Sequence, residues 1–174
     1  MQQPPPEAEL DPAPVLVRLT DAGVDFVVIG GVAGGAHGSA YGTQDLDVAY
    51  DRAVANLERM ADALRSIGAS LRGAPADVPF ILDARSLAEG GNFTFDTELG
   101  KVDILAYPSG APPYDALRAD ALEISVDGRA VRIASLDHLI AMKEAAGRTK
   151  DLLMASEYRV ISDLLRASKE PPPA

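Results

Sequence analysis

Cysteine is absent from the 174 residues, which excludes disulfides, thiolate nucleophiles and cysteine-ligated zinc. Histidine is scarce, only His37 and His138, so any metal must sit on carboxylates. Tryptophan is missing and the aromatic share is 5%, against a hydrophobic share of 47%; the core is expected to be built from Ala, Leu and Val. No run approaches the roughly 18 apolar residues of a membrane-spanning helix. The N-terminal "MQQPPPEAELDPAP" also lacks the basic and apolar regions of a secretory signal, so a cytoplasmic protein without a membrane partner is expected. Positive charge is short too: 16 Lys and Arg against 26 Asp and Glu leave a formal net charge of -10. Such a surface repels nucleic-acid phosphates and argues against non-specific nucleic-acid binding. A local basic patch, or carboxylates gathered around a divalent ion, is compatible with the same total. No lysine occurs in residues 1–100, which rules out a P-loop there, and "GGVAGGAHG" does not contain the G-x-G-x-x-G of a dinucleotide site.

The proline- and acid-rich residues 1–12 and the end "SKEPPPA" (168–174) read as disordered tails around one domain over residues 13–167. Within it, "APVLVRLTDAG" reads as a short helix closed by Gly23, and "VDFVVIGG" as a buried strand entering a glycine turn. "VAGGAHGSA" reads as a short helix and "DLDVAYD" as a strand. "AVANLERMADALRSIG" has Val54, Leu57, Met60, Ala61 and Leu64 at helical spacing. "FILDA", "NFTFDT", "KVDILAY", "LEISVDG" and "AVRIAS" are β-like runs, with Asp127-Gly128 a hairpin turn. "SLDHLIAMKEAAG", with Ser135 as N-cap, and "TKDLLMASEYRVISDLLRAS" close the chain as helices. This order predicts an α/β (α+β) fold: a mixed β-sheet flanked by helices, with two C-terminal helices.

Asp45 and Asp47 are two apart, so on a strand both carboxylates share one face while Leu46 and Val48 point to the core. Side by side they repel, and need a cation or a raised pKa. Magnesium suits the pair, because it takes a few carboxylate oxygens and accepts substrate phosphates in its remaining positions. Asp103, between Val102 and Ile104, faces away from its apolar neighbours. If its strand lies beside residues 45–50, the three aspartates form the ligand set of a two-metal phosphoryl-transfer site. Gly30-Gly31, directly after an apolar strand, would let a phosphate approach the backbone. On the residues alone, a D-x-D pair on a solvated edge and a purely structural glycine turn are alternatives. Two others fail. An EF-hand beginning at Asp45 would have Ala49 and Tyr50 where an oxygen ligand and a glycine are required, and a phosphatase-like nucleophile at Asp45 would need an apolar strand where "YGTQ" stands.

Gly30-Gly31, a spacer of 13 residues, Asp45-Leu46-Asp47-Val48 and a distant Asp103 together resemble the DNA polymerase beta-like nucleotidyltransferase superfamily. Its signature is a glycine turn, a short spacer, an h-D-h-D core and a third carboxylate. "HGSAYGTQDLD" with "MKEAAGRTKDLL" is similar, more narrowly, to the minimal nucleotidyltransferases related to abortive-infection AbiE-type toxins, the AbiEii-like branch. The resemblance implies magnesium or manganese on Asp45, Asp47 and Asp103, and a nucleoside triphosphate on Gly30, Gly31, Thr43 and Lys150. It implies Lys143 and Asp151 on the far wall of the catalytic site, beside the three aspartates. It further implies transfer of a nucleoside monophosphate to an acceptor hydroxyl, tRNA among the candidates, by a toxin with a cognate antitoxin. The alternative is a catalytically degenerate nucleotide-binding or interaction module of such a pair. Tyr41 departs from the branch, which often has arginine two residues before the threonine, and the helix after Lys150-Asp151 is short.

Overall fold

The run Phe26–Ile29 forms strand β1, buried at every position, and everything that matters for the site is arranged around it. The structure, a computed structural model, describes residues 10–75 and 79–168; the expected tails fall largely on residues outside that range. Helix α1 (Ala13–Asp21) precedes β1 with Val15, Leu16 and Leu19 buried, and the chain turns at Gly23 with φ +70°. After β1 come α2 (Gly30–Ala36), β2 (Asp45–Tyr50), α3 (Val54–Ser66), β3 (Ser70–Leu71), α4 (Ala84–Glu89), β4 (Asn92–Thr97) and β5 (Gly100–Leu105). Then follow α5 (Tyr114–Ala119), β6 (Leu122–Val126), β7 (Arg129–Ile133), α6 (Leu136–Ala146) and α7 (Thr149–Ala167).

The strands make one seven-stranded mixed sheet in the order β3-β4-β5-β2-β1-β7-β6. β1 runs antiparallel to β2 and parallel to β7, while β2 runs parallel to β5. The alternation in "DLDVAYD" works as expected: Leu46 and Val48 are fully buried, with Asp45 and Asp47 half-buried on the other face. On β5, Val102 and Ile104 are buried and Asp103 faces the same way as the β2 acids. On β4, Phe95 is buried and stacks near Phe93 and Phe80, leaving Thr94 and Asp96 exposed on the aspartate side.

Helix ends follow their local chemistry. Ser135 caps α6 by accepting from the His138 N–H, and Gly147 ends that helix at φ +69°. Asp127 and Gly128, both at positive φ, turn β6 back onto β7.

Several expectations are corrected. "FILDA" is not a strand: Ile81 is exposed, Phe80 packs on Phe93 and Phe95, and Asp83 accepts from the Ser86 N–H to cap α4. The outer neighbour of β4 is instead β3, just two residues long, while its inner edge pairs with β5. The glycine turn and the following helix are one feature, since α2 begins at Gly30 itself. Val54 faces solvent at the start of α3. On α7 the packed face is Met154, Ala155 and Tyr158, whereas Leu152, Leu153, Val160, Leu164 and Leu165 are exposed. None of the helices among the described residues is long and apolar enough to cross a membrane.

Candidate active site

Two strand pairings bring the acids together. β2 and β5 are in register with Asp47 opposite Asp103, at the usual strand spacing of about 4.8 Å, and Asp45 lies one alternation away on the same face. Carboxylate oxygens of Asp45, Asp47 and Asp103 all come within 4.8 Å of one another. The antiparallel β1–β2 register places Ile29 opposite Asp47, so the chain leaving β1 passes directly beside that carboxylate. Gly30 is there at φ +65°, and an added Cβ would overlap the Asp47 carboxylate. A Cβ on Gly31 would stand 2.6 Å from Cβ of Thr43. Both glycines therefore make room for the protein's own side chains. Thr43 in turn donates to Oδ1 of Asp45 at 3.0 Å and to its carbonyl at 3.2 Å, fixing the first acid from the loop before β2.

Crowding three acids on a half-buried face has an electrostatic consequence. Burial first, then the neighbouring charges of Asp45 and Asp103, push Asp47 up to about 7. Asp103 is also raised by burial, with Arg72 opposing the shift. Its Oδ1 is buried yet has no aligned hydrogen bond. A hard divalent cation held by carboxylate oxygens fits this crowding, since it would relieve the repulsion among the three acids. The donor set is right for magnesium or manganese: oxygen ligands, with neither cysteine nor histidine among them.

Lys143, Arg148 and Asp151 come together where α6 meets α7. Asp151 is 2% exposed and accepts from Nζ of Lys143 at 3.1 Å and Nε of Arg148 at 2.5 Å. These bonds, Arg148's first, hold its carboxyl below the usual range. Lys143 is near enough to the acids for its ammonium to work against the rise at Asp47. Lys150 is exposed on the first turn of α7, and Arg148 has the contact with Asp151. The α2–α7 junction is tight: the Tyr158 side chain lies against Gly34, where a Cβ would collide with it. His37 caps α2 and bonds the Ala134 carbonyl at 2.8 Å, a structural role. His138 pairs with Asp120 at 3.0 Å. Tyr41 packs against the core.

One residue escaped the sequence reading. Arg72, immediately after β3, reaches over β4 to Asp103, with Nη2 3.1 Å from its Oδ1. The only signal for it is a lone arginine beside a short β-like "SL" pair, in a stretch without periodicity.

Neither a protein-family model nor a curated protein matches the sequence. Solved structures do resemble the fold. The lincosamide antibiotic adenylyltransferase LnuA, lincomycin-bound, aligns with a TM-score of 0.57 at 13% identity, over 88% of this chain and 99% of that one. An antigenic nucleotidyltransferase-like protein from Paracoccidioides brasiliensis aligns with a TM-score of 0.56 at 16% identity, over 90% and 79%. ANT(2")-Ia in complex with adenylyl-2"-tobramycin aligns with a TM-score of 0.51 at 13% identity, over 90% and 95%. With its seven-stranded mixed sheet and flanking helices, the chain has a nucleotidyltransferase-like fold.

Proposed function

We propose that this protein is a nucleotidyltransferase that moves the nucleoside monophosphate of a nucleoside triphosphate onto an acceptor hydroxyl. The observation that carries the reading is the convergence of Asp45, Asp47 and Asp103 from adjacent strands, with Asp47 raised to about 7. A raised carboxylate in such a cluster is a group kept out of balance until a cation arrives. Magnesium or manganese held by the three acids would supply charge neutralisation for the phosphoryl oxygens. Gly30 and Gly31, whose backbone lies against Asp47 and Thr43, form the wall for the triphosphate. Lys143, braced by Asp151, offers a point charge to its phosphates, and Lys150 a further one from the helix start. In the transfer the acceptor oxygen bonds the α-phosphorus while the bond to the bridging oxygen of the β-phosphate breaks. The hydroxyl proton passes to Asp103 and pyrophosphate leaves.

For the acceptor, a small-molecule hydroxyl is the reading favoured here. Two fold relatives carry lincomycin and an adenylylated tobramycin, and a net charge of -10 opposes the approach of a polyanion. A second reading, a toxin acting on tRNA and neutralised by an antitoxin, is favoured by the "HGSAYGTQDLD" and "MKEAAGRTKDLL" segments and the Lys143–Asp151 pair they contain. One assay separates them: each labelled triphosphate is incubated with magnesium and either tRNA or a panel of polyhydroxylated small molecules, and pyrophosphate release is followed. Transfer by the wild type that disappears in Asp47→Ala supports the reaction. Transfer that survives the substitution would sink it.

A further inference from the structure

The guanidinium of Arg72 divides its contacts unevenly between two strands. Its backbone N–H donates to the Thr94 carbonyl at 2.9 Å, which anchors the residue to β4 at the sheet edge. Nε then donates to Asp96 at 3.2 Å and Nη2 to the Phe95 carbonyl at 2.8 Å, both aligned hydrogen bonds to β4. The approach of Nη2 to Asp103 at 3.1 Å is different: it is an ion pair without an aligned hydrogen bond. The directional bonds of the fork are thus spent on β4, and its charge falls on β5. Side-chain exposures of 28% for Arg72 and 17% for Asp103 mean that this charge is incompletely screened.

We propose that Arg72 is a positioning residue that splits the acid triad. It acts as a resident counter-ion for Asp103, so that this third acid is shared between the guanidinium and the cation while Asp45 and Asp47 face the cation unopposed, and it makes the cation bind weakly until a triphosphate brings compensating negative charge. The inference rests on the metal-dependent reading of the site given above. Because Arg72 is tied down by Asp96, Phe95 and the Thr94 carbonyl, it stays in place when a cation enters. Part of the negative charge that Asp103 would offer a doubly charged ion is then already neutralised by a fixed guanidinium, which weakens the ion's affinity in the free protein. Asp103 meets the guanidinium at 3.1 Å, outside the alignment of the bonds that tie Arg72 to β4, so an ion pair is what its turn to an incoming ligand must loosen. The cation therefore enters with the nucleotide rather than ahead of it.

The test is manganese binding to the nucleotide-free protein, measured by electron paramagnetic resonance of free Mn2+. Arg72→Gln should tighten binding by about tenfold, while Arg85→Gln, which removes an equal charge from α4, where its partner is Glu89, should change it less than about twofold. In an Asp103→Asn background the Arg72 effect should shrink to near nothing, since the coupling runs through that carboxylate. Arg72→Lys, which keeps the charge, should stay near wild type. Equal effects of Arg72→Gln and Arg85→Gln, or an Arg72 effect that persists without Asp103, overturn the proposal while leaving nucleotidyl transfer standing. Wild-type protein that binds Mn2+ no better than Asp47→Asn even with a non-hydrolysable nucleoside triphosphate present overturns both. If Arg72→Gln destabilises the fold, Asp96→Asn, which loosens the same guanidinium from β4, supplies the second variant; it must also change Mn2+ affinity, and an unchanged affinity counts against the proposal.

Discussion

Gly30 and Asp47 compete for one volume: the space a Cβ on Gly30 would occupy is filled by the Asp47 carboxylate. The φ of +65° adds backbone strain for any other residue. Gly30→Ala should therefore cost about 1–3 kcal/mol of stability and displace Asp47, lowering Mn2+ affinity. Gly35, on the same helix with nothing near its missing Cβ, is the control: Gly35→Ala should be neutral or stabilising by up to about 1 kcal/mol. Urea denaturation of the two variants checks the contrast.

Asp47 sets a pH dependence of stability. The unfolded chain releases this proton near 3.8 and the folded one at about 7, so the folded state holds more protons between those values. Stability from this group accordingly falls as pH rises from about 4 to about 7. Asp47→Asn should raise the thermal midpoint at pH 8 and change it little at about pH 3, where the carboxyl is largely protonated in both states. Magnesium should stabilise the wild type at pH 8 and leave Asp47→Asn unmoved.

The Asp151 pairings predict a loss through a different route. Asp151→Ala strands the half-buried Lys143, whereas Arg148, 79% exposed, is free to turn to solvent. A cost of about 2–3 kcal/mol is expected, with a rise in the KM for the triphosphate as Lys143 loses its brace. Arg148→Ala should cost less than about 1 kcal/mol. Denaturation midpoints and initial-rate kinetics check the ordering.

The Tyr158 hydroxyl is buried without a hydrogen-bond partner. Removing it should relieve a desolvation cost, so Tyr158→Phe is expected to be neutral or to stabilise by up to about 1 kcal/mol. Differential scanning calorimetry would show the opposite sign if the hydroxyl held Gly34 and α2 in place.

Much of the fold was legible where a pattern repeats. The alternation of Asp45-Leu46-Asp47-Val48 and of Val102-Asp103-Ile104 fixes which way each side chain faces, and both strands lie as that alternation requires. What the letters could not carry is anything shorter than a period. β3 has two residues, and α4 and α5 have six each, too few for a helix or strand signature to emerge. Arg72 belongs to that class, because its position depends on β3 pairing at the sheet edge. The apolar text of α7 was visible, but not which side would be covered: Tyr158 packs against Gly34, and five aliphatic residues remain outside. The Gly30-Gly31 pair was recognisable as a special backbone, whereas the reason for it, crowding by Asp47 and Thr43, exists only after β2 folds back along β1.

The parallel pairing of β2 with β5 also governs the order of events on the ribosome. Asp45 and Asp47 leave the exit tunnel long before Asp103, and Lys143 and Asp151 follow last. The site thus draws its parts from contacts far apart along the chain, the kind that form slowly in folding. A chain cut ahead of α6 would hold Asp45, Asp47 and Asp103 on paired strands and lack Lys143 and Asp151 altogether.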